Sequence, residues 1–186
     1  MARFDFLPMP IAGLMLVQRQ IIEDSRGFFS RFYCAAEFET LGIQKPVRQI
    51  NHTLTKSKGA VRGMHFQLPP YAETKLVSCL HGKIFDVAVD LRKDSPTFLR
   101  WHGEILSAAN QRSFLIPEGF AHGFQSLTVD CEVIYLHTAA YDPASEGALN
   151  AADPRLAITW PLDVTEMSDR DRSHPMLSAY FEGIQL

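Results

Sequence analysis

Short strand-like segments separated by turn residues recur from Val47 to Thr138, and this recurrence most constrains the fold. Hydrophobic and polar residues alternate with a period of two in several of these segments, which is the pattern of a half-buried β-strand. Turn residues separate them, as at His81-Gly82 and Pro117-Glu118-Gly119. Many short strands with few helices predict a mainly β fold, either a sandwich or a barrel. The predicted strands are 47–54, 60–66, 74–80, 83–91, 101–106, 113–116, 121–127 and 132–138.

The two ends of the chain are predicted to join this β-structure. Residues 14–22 have the pattern of a strand, and the Asp24-Ser25-Arg26-Gly27 segment predicts a turn. A short helix is predicted over 35–41, because Phe38 and Leu41 are spaced i, i+3 and Gly42 follows. Beyond Tyr141 the pattern loosens, and Ser168 to Arg172 is predicted as a polar turn. We therefore expect residues 142–186 to pack over the barrel.

Composition limits the possible classes of protein. At 186 residues and 46% hydrophobic content, the chain can bury one core, so residues 1–186 are predicted to form one domain. The net charge of -3 implies neither a nucleic-acid surface nor an anionic-membrane surface. Three cysteines with no CxxC spacing indicate a reducing, cytoplasmic environment. The apolar residues 7–17 contain Pro8 and Pro10 and are too short to span a membrane, which favours a strand.

Ionisable side chains occur inside the strand-like segments between Val61 and Leu91. Arg62, His65, Lys75 and Asp86 all lie in this part of the chain. An unpaired buried charge is costly, so these groups predict a polar pocket inside the β-scaffold. Asp86 has a second interpretation, as a solvent-facing residue on the outer side of a sheet.

The surroundings of His65 argue against a metal site. Cupin barrels that hold a metal usually carry two histidines one residue apart, but here Phe66 and Gln67 follow His65. Phenylalanine cannot bind a metal, and glutamine is a poor ligand for zinc or iron. The later segment from Pro117 to His122 does keep the Pro-x-Gly-x-x-His spacing of the second cupin motif. The sequence therefore predicts no metal and favours acid–base chemistry in a cupin-like barrel.

Seven motifs, in order, resemble the dTDP-4-dehydrorhamnose 3,5-epimerase family. They cover nearly the whole chain, which makes the resemblance far more specific than one short pattern. The motifs are Arg26-Gly27-Phe28-Phe29, Arg62-Gly63-Met64-His65-Phe66-Gln67, Lys75-Leu76-Val77, 85–92, Ser95-Pro96-Thr97-Phe98, 116–124 and Met167-Ser168-Asp169-Arg170-Asp171.

The resemblance implies a cupin-type β-barrel, or jelly roll, with a few short peripheral helices. It also implies a homodimer in which N-terminal strands pair across subunits, an NDP-4-keto-6-deoxyhexose substrate and no cofactor. The expected activity is that of an isomerase in deoxysugar and polysaccharide biosynthesis, 3,5-epimerisation on the way to dTDP-rhamnose.

The resemblance also assigns roles to particular residues. His65 resembles the general base, Asp171 the carboxylate that orients it, Tyr135 the general acid and Lys75 the group facing the enolate. Tyr141 is close enough in sequence to be the acid instead. The residues expected to contact substrate are Arg26, Phe29, Arg31, Gln49, Asn51, Arg62, Gln67, Asp86, His122 and Tyr141.

The chain departs from the family pattern at three positions. Ile50 stands between Gln49 and Asn51 where an aspartate is common, and Leu136 stands where a lysine is common. Arg31 replaces a common glutamate; because an arginine only donates hydrogen bonds, a CDP- or GDP-linked sugar is an alternative to the dTDP-sugar. The sequence is also compatible with an epimerase of C3 or C5 alone, a ketoisomerase, a metal-dependent cupin and a non-catalytic cupin.

Overall fold

The computed structural model describes residues 3–186. Thirteen strands and two five-residue helices lie in this part of the chain. The strands are β1 (Phe4–Pro8), β2 (Met15–Arg19), β3 (Ile21–Asp24), β4 (Gly27–Ser30), β5 (Gln49–Thr55), β6 (Val61–Gln67), β7 (Lys75–His81), β8 (Lys83–Asp90), β9 (Trp101–Ser107), β10 (Arg112–Ile116), β11 (Phe120–Ser126), β12 (Cys131–His137) and β13 (Glu146–Ala148). The helices are α1 (Ala35–Glu39) and α2 (Asp169–Ser173).

Two antiparallel sheets form the body of the molecule. The six-stranded sheet has the order β1-β2-β10-β7-β12-β5, and the five-stranded sheet has the order β13-β6-β11-β8-β9. Buried side chains of both sheets, such as Val77, Phe114, Ala88 and Phe124, form one cluster between them. The fold is therefore mainly β and cupin-like, as the sequence predicts.

The N-terminal part of the chain differs in detail from the prediction. The single strand expected over 14–22 is divided at Gln20 into β2, which pairs with β10, and β3, which pairs only with β4 among the described residues. Helix α1 begins at Ala35 as predicted but ends at Glu39, before Gly42 with its φ of +83°. Its Phe38 packs edge-on against Phe4 of β1 with ring centroids 5.2 Å apart.

The C-terminal residues lie against the five-stranded sheet. Strand β13 pairs with β6, and Leu149, Leu156 and Ile184 are buried in a cluster with residues of β6, β8 and β11. The prediction of a turn over 168–172 is wrong, because α2 forms there. Ser168 is its N-cap, and the Ser168 hydroxyl accepts a hydrogen bond from the Asp171 amide at 3.0 Å. A capping serine three residues before Asp171 is the signal that indicates a helix start.

Neither helix in residues 3–186 is long and apolar enough to cross a membrane.

Candidate active site

A cavity of about 230 Å³ opens between the two sheets, and polar side chains line most of it. Strand alternation explains this lining, because residues i and i+2 of a strand face the same side. Asn51 and Thr53 face the cavity from β5, and Tyr135 and His137 face it from β12. The full lining is Asn51, Thr53, Arg62, His65, Lys75, His122, Phe124, Tyr135, His137 and Asp171.

His65 and Asp171 form a histidine–carboxylate pair in the lining of this cavity. His65 Nε2 lies 2.8 Å from Asp171 Oδ1, and the side chains are 34% and 7% exposed. The Gly63 amide donates to Asp171 Oδ2 at 3.3 Å. Burial alone would raise the pKa of Asp171, but the His65 contact and the Gly63 and Ser168 groups hold that pKa below its usual range. An ionised Asp171 accepts a hydrogen bond from the Nε2–H group of His65, which leaves Nδ1 of His65 free to accept a proton.

Lys75 lies beside His65 and belongs to a buried charged cluster. Its ammonium donates to the His65 carbonyl at 3.3 Å and lies 3.3 Å from Glu73 Oε1. Glu73 Oε2 lies 2.9 Å from His137 Nδ1. Burial would raise the pKa of Glu73, but His137 and Lys75 lower it below the ordinary value. The cavity therefore contains an ammonium with its own carboxylate partner.

Tyr135 is the phenol of the cavity. Its hydroxyl lies 3.1 Å from Thr53 Oγ1. Burial raises the pKa of Tyr135 further above its ordinary value, so the phenol stays protonated at neutral pH and can donate a proton. This is the property expected of a general acid.

His122 and Asp86 form a second histidine–carboxylate contact, at 2.7 Å, and both side chains are buried. Asp86 is fully buried on β8, so its interpretation as a solvent-facing residue is wrong. Burial raises the pKa of Asp86, and its Oδ2 has no hydrogen-bond partner among residues 3–186. His122 lines the cavity and Asp86 lies behind it.

Several predicted substrate contacts lie outside the cavity lining. Arg26 and Phe29 are exposed on the β3–β4 hairpin, where Arg26 pairs with Asp24. Arg31 pairs with Glu37 of α1 at 3.1 Å. Gln67 is buried, and its amide binds the backbone of Tyr71, Ala140 and Asp142.

Tyr141 also lies outside the lining. It is 51% exposed and its hydroxyl donates to Glu146 at 2.9 Å. The Gln49 amide lies beside the lining, within 3.1 Å of Asn51, and its Oε1 accepts from the Tyr141 backbone. Tyr135, not Tyr141, therefore shares a cavity with His65.

Glu73 and His137 are parts of the site that the sequence motifs do not identify, and a histidine at position 137 is expected from sequence to be structural or exposed. The available signal is spacing. His137 follows Tyr135 by two residues on β12, so these two side chains share a side of that strand. Glu73 lies two residues before Lys75 and outside β7, so strand alternation does not place it, and only its contacts with Lys75 and His137 show that it belongs to the site.

Two further features could bind ligands. His65, Asp171 and His174 offer three ligand atoms within 4.8 Å of one another, but a metal ion there would have to replace the His65–Asp171 hydrogen bond. A cavity of about 490 Å³ elsewhere is lined by Lys45, Glu118 and Arg92, among others. Lys45 is paired with Glu118 and Arg92 with Asp90, so the charges of this cavity are already neutralised.

Comparison with known proteins gives one consistent result. Residues 8–179 match the family model for dTDP-4-dehydrorhamnose 3,5-epimerase. The enzyme of that name from Salmonella typhimurium is 43% identical over 169 residues, which cover 90% of this chain and 92% of the relative.

Two solved structures share the fold. The dTDP-4-dehydrorhamnose 3,5-epimerase of Bacillus anthracis, with TDP and PPi bound, matches with a TM-score of 0.90 and 40% identity, covering 94% of this chain and 99% of that one. The dTDP-6-deoxy-D-glucose-3,5-epimerase of Legionella pneumophila, in complex with dTDP-4-keto-L-rhamnose, matches with a TM-score of 0.88 and 41% identity, covering 93% and 92%.

The cupin-like fold and its acid–base cavity define the class of the protein, a carbohydrate epimerase and thus an isomerase. Its motifs and its relatives agree on one group within that class. The chain belongs to the dTDP-4-dehydrorhamnose 3,5-epimerase family.

Proposed function

We propose that this chain inverts C3 and C5 of dTDP-4-dehydro-6-deoxy-D-glucose, giving dTDP-4-dehydro-L-rhamnose, without a metal or an organic cofactor. One observation carries the proposal. The His65–Asp171 pair, the Lys75 ammonium and the protonated Tyr135 line a single cavity of about 230 Å³. Proton removal next to a ketone requires a base, a cation for the developing enolate and an acid, and these residues supply all three.

In the first step His65 removes a proton from a carbon next to the C4 ketone. The electrons of the C–H bond form the C=C bond of an enolate, and negative charge develops on the C4 oxygen. Lys75 stabilises that oxygen, and Asp171 stabilises the imidazolium that His65 becomes. Because general acid–base catalysis supplies about 10²- to 10⁴-fold, the field of Lys75 has to supply much of the remainder.

In the second step Tyr135 donates its phenolic proton to the same carbon from the opposite face, which inverts that carbon. The enolate electrons form the new C–H bond and the ketone is restored. The tyrosinate takes back a proton from solvent, and His65 releases the one it accepted. Repetition at the second carbon completes the double epimerisation.

The substrate assignment follows the relatives. The structure from Legionella pneumophila is a complex with dTDP-4-keto-L-rhamnose, and the one from Bacillus anthracis contains TDP. Both support a dTDP-linked sugar for this chain. Arg62 and His122 line the cavity as sugar contacts, with Asn51 beside them. The exposed hairpin residues Arg26 and Phe29, with Arg31, are assigned to the nucleotide.

We further propose a homodimer, one domain per chain, in the cytoplasm. Hairpin β3–β4 exposes Ile22, Phe28 and Phe29 at 45%, 60% and 59%, an apolar surface suited to pairing with a second copy. Cys34, Cys79 and Cys131 are free thiols, as expected in a reducing compartment.

Proton NMR of EDTA-treated protein with dTDP-4-keto-6-deoxyglucose in D₂O tests the reaction. Deuterium should enter at C3 and C5, and His65→Ala should abolish its entry. His52→Ala is the matched control, because His52 is an exposed histidine outside the cavity, paired with Glu132.

A different result in this assay revises the proposal in a defined way. Deuterium at one carbon indicates a monoepimerase, and exchange with CDP- or GDP-linked analogues alone reassigns the nucleotide. No deuterium incorporation with any of the three sugars, or wild-type incorporation by His65→Ala, contradicts the proposed reaction.

A further inference from the structure

One histidine beside the His65–Asp171 pair has no role in the reaction above. His174 is the C-cap of α2, three residues after Asp171, and its ring lies edge-on to the His65 ring with centroids 5.9 Å apart. Its Nε2 is buried and has no hydrogen-bond partner among residues 3–186. A buried polar atom without a partner is costly, and that cost falls if a ligand binds to the atom.

The unpartnered nitrogen lies beside the carboxylate of the catalytic pair. His174 Nε2 is 3.7 Å from Asp171 Oδ1, too far for a hydrogen bond, while the same oxygen is 2.8 Å from His65 Nε2. The three residues offer three ligand atoms that all lie within 4.8 Å of one another. They form the only such group of histidine, cysteine or carboxylate side chains in residues 3–186. A proton joins two of these atoms, whereas a metal ion can join all three.

The three ligand atoms suit Zn²⁺. Two imidazole nitrogens and one carboxylate oxygen are a common zinc ligand set, with water as the fourth ligand. Bonds of about 2.0–2.2 Å in a tetrahedron place neighbouring ligand atoms about 3.3–3.5 Å apart. The distances of 2.8 and 3.7 Å from Asp171 Oδ1 lie on either side of that range. Changes of about 0.5–1.5 Å between the ligand atoms would therefore complete the geometry.

A hydrated cation can reach these atoms from the cavities beside them. His65 and Asp171 line the catalytic cavity of about 230 Å³, and His65 is 34% exposed. Asp171 also borders a second cavity of about 360 Å³, which shares Arg62 with the first. The space in front of the three residues leaves room for the water that would be the fourth ligand.

The charges around the three residues permit a cation but limit its affinity. Asp171 is ionised at neutral pH, because its partners hold its pKa below the usual range. Lys75 is paired with Glu73 and is thereby neutralised. Arg62 lines the same cavity, hydrogen bonded to uncharged oxygen atoms, so its positive charge opposes a metal ion. This balance indicates reversible binding and not a permanently held ion.

We propose that His65, Asp171 and His174, which we call the His–Asp–His cluster, bind Zn²⁺ and that the bound ion reversibly inhibits the enzyme. The ion replaces the proton between His65 Nε2 and Asp171 Oδ1. That proton leaves to solvent and Nδ1 takes one up, so the ring stays neutral but can no longer accept the substrate proton. The inhibition rests on the proposed function, in which His65 is the base, whereas the binding does not.

Calorimetry measures the binding without any sugar. Zn²⁺ titrated into protein that has been treated with EDTA and then freed of it should bind at the cluster, one ion per chain. His65→Ala and His174→Phe should each weaken this binding by at least about 10- to 100-fold, since each removes a ligand. Phenylalanine at position 174 keeps an aromatic ring against His65 but offers no ligand atom.

An exposed histidine provides the matched control. His52 lies 3.0 Å from Glu132, and the two side chains are 55% and 41% exposed. This pair offers two ligand residues and not three. His52→Phe should therefore bind Zn²⁺ at the cluster with the wild-type affinity.

The D₂O exchange assay measures the consequence for turnover. Each protein is compared with itself, without Zn²⁺ and with Zn²⁺ at about ten times the wild-type Kd. By mass action the wild type and His52→Phe should lose about tenfold in rate, and excess EDTA should restore it. A protein that binds 10- to 100-fold more weakly should lose about twofold or less, which is the result expected for His174→Phe.

The possible results separate the two proposals. Unchanged Zn²⁺ binding in His174→Phe overturns the inference, as does Zn²⁺ binding at the cluster that leaves wild-type turnover unchanged. If the metal-free wild type exchanges no proton of any sugar, the proposed function fails, and calorimetry still decides whether the cluster binds Zn²⁺. If His174→Phe does not fold, His174→Gln takes its place, because glutamine is a poor ligand for zinc.

Discussion

At the scale of single residues, burial determines which tyrosine can be the acid. Tyr135 lies in the cavity beside Thr53, whereas Tyr141 is half exposed and bound to Glu146. Tyr135→Phe removes the donor but leaves the base, so inversion should fall about 10²- to 10⁴-fold. Exchange of the substrate proton with D₂O by His65 should continue. NMR measures both from one sample, as deuterium content and as product configuration.

The same assay on Tyr141→Phe distinguishes the two assignments. That variant should invert both carbons at close to the wild-type rate. If Tyr141→Phe stops inversion while Tyr135→Phe does not, the acid is Tyr141 and our assignment is wrong.

The sequence predicts site residues that lie in recognisable motifs. It does not predict site residues whose role depends on a contact with a residue far away in the sequence. His65, Lys75, Tyr135 and Asp171 are predicted together from the sequence and line one cavity. His137 is not, because its significance comes from Glu73, 64 positions earlier in the sequence. No periodicity within one strand reports on such a contact.

At the scale of elements, the five-residue helix α2 holds Asp171 in place. A helix this short has little stability of its own, so its cap matters. Ser168→Ala removes the hydroxyl that accepts from the Asp171 amide, which should cost about 1 kcal/mol of stability and lower kcat several-fold. Thermal unfolding and steady-state kinetics measure the two effects.

The opposite end of α2 supplies the control for that experiment. Ser173 donates to the Arg170 carbonyl and does not contact Asp171. Ser173→Ala should leave kcat unchanged, and Ser168→Asp should restore it, since aspartate also caps helices. Equal losses of kcat in Ser168→Ala and Ser173→Ala would mean that the cap does not position the carboxylate.

The close approach of β6 and β11 is a second element-scale constraint on the site. A Cβ at Gly123 would lie 2.5 Å from Met64 Sδ and 2.7 Å from the Arg62 carbonyl oxygen. Gly123→Ala should therefore separate the strands that carry Arg62, His65 and His122. We expect a loss of about 1–3 kcal/mol in unfolding free energy and a larger loss of activity. Wild-type urea unfolding with wild-type kcat would contradict this.

At the scale of the whole molecule, sequence periodicity predicts the β-class and most strands, but not how the strands divide between sheets. Strands β7 and β8 are separated only by Gly82, yet they belong to different sheets. The one residue between them, Gly82, has a φ of +77°, a value that a glycine in a hairpin turn also adopts. The sequence therefore does not distinguish this crossing between sheets from a hairpin within one sheet. The two-sheet arrangement depends on contacts between distant strands, which local pattern does not contain.

Acid sensitivity is also a property of the whole molecule, because buried carboxylates of several elements contribute. Burial would raise the pKa values of Glu73, Asp90 and Asp171, but their partners lower all three below the ordinary values. Such groups bind fewer protons when folded, so their stabilisation is complete above about pH 5 and is lost as pH falls through the folded pKa values. Asp86 has a raised pKa and opposes this trend. Asp86 acts only above its ordinary pKa of about 4, because below that pH it is protonated in both the folded and the unfolded state. The three lowered pKa values therefore predict a falling unfolding free energy below about pH 4.

Asp90→Asn tests this prediction at the best-bonded carboxylate. Asp90 accepts from Arg92 at 2.8 and 2.9 Å and from the Ser95 and Thr97 hydroxyls at 2.6 Å each. The variant should lose about 3 kcal/mol at neutral pH, since it breaks a buried ion pair. Its slope of unfolding free energy against pH should be smaller by up to about 1.4 kcal/mol per pH unit, the equivalent of one proton.

Urea unfolding from about pH 2 to 7, followed by the fluorescence of Trp101 and Trp160, measures that slope. Both tryptophans pack against the cluster on the five-stranded sheet that also contains Val89 and Leu91, close to Asp90 in sequence. A variant with full acid sensitivity would show that Asp90 takes up its proton with the same pKa folded and unfolded. The loss of unfolding free energy at low pH would then come from Glu73 and Asp171. In that case Glu73→Gln, and not Asp90→Asn, would reduce the slope of unfolding free energy against pH.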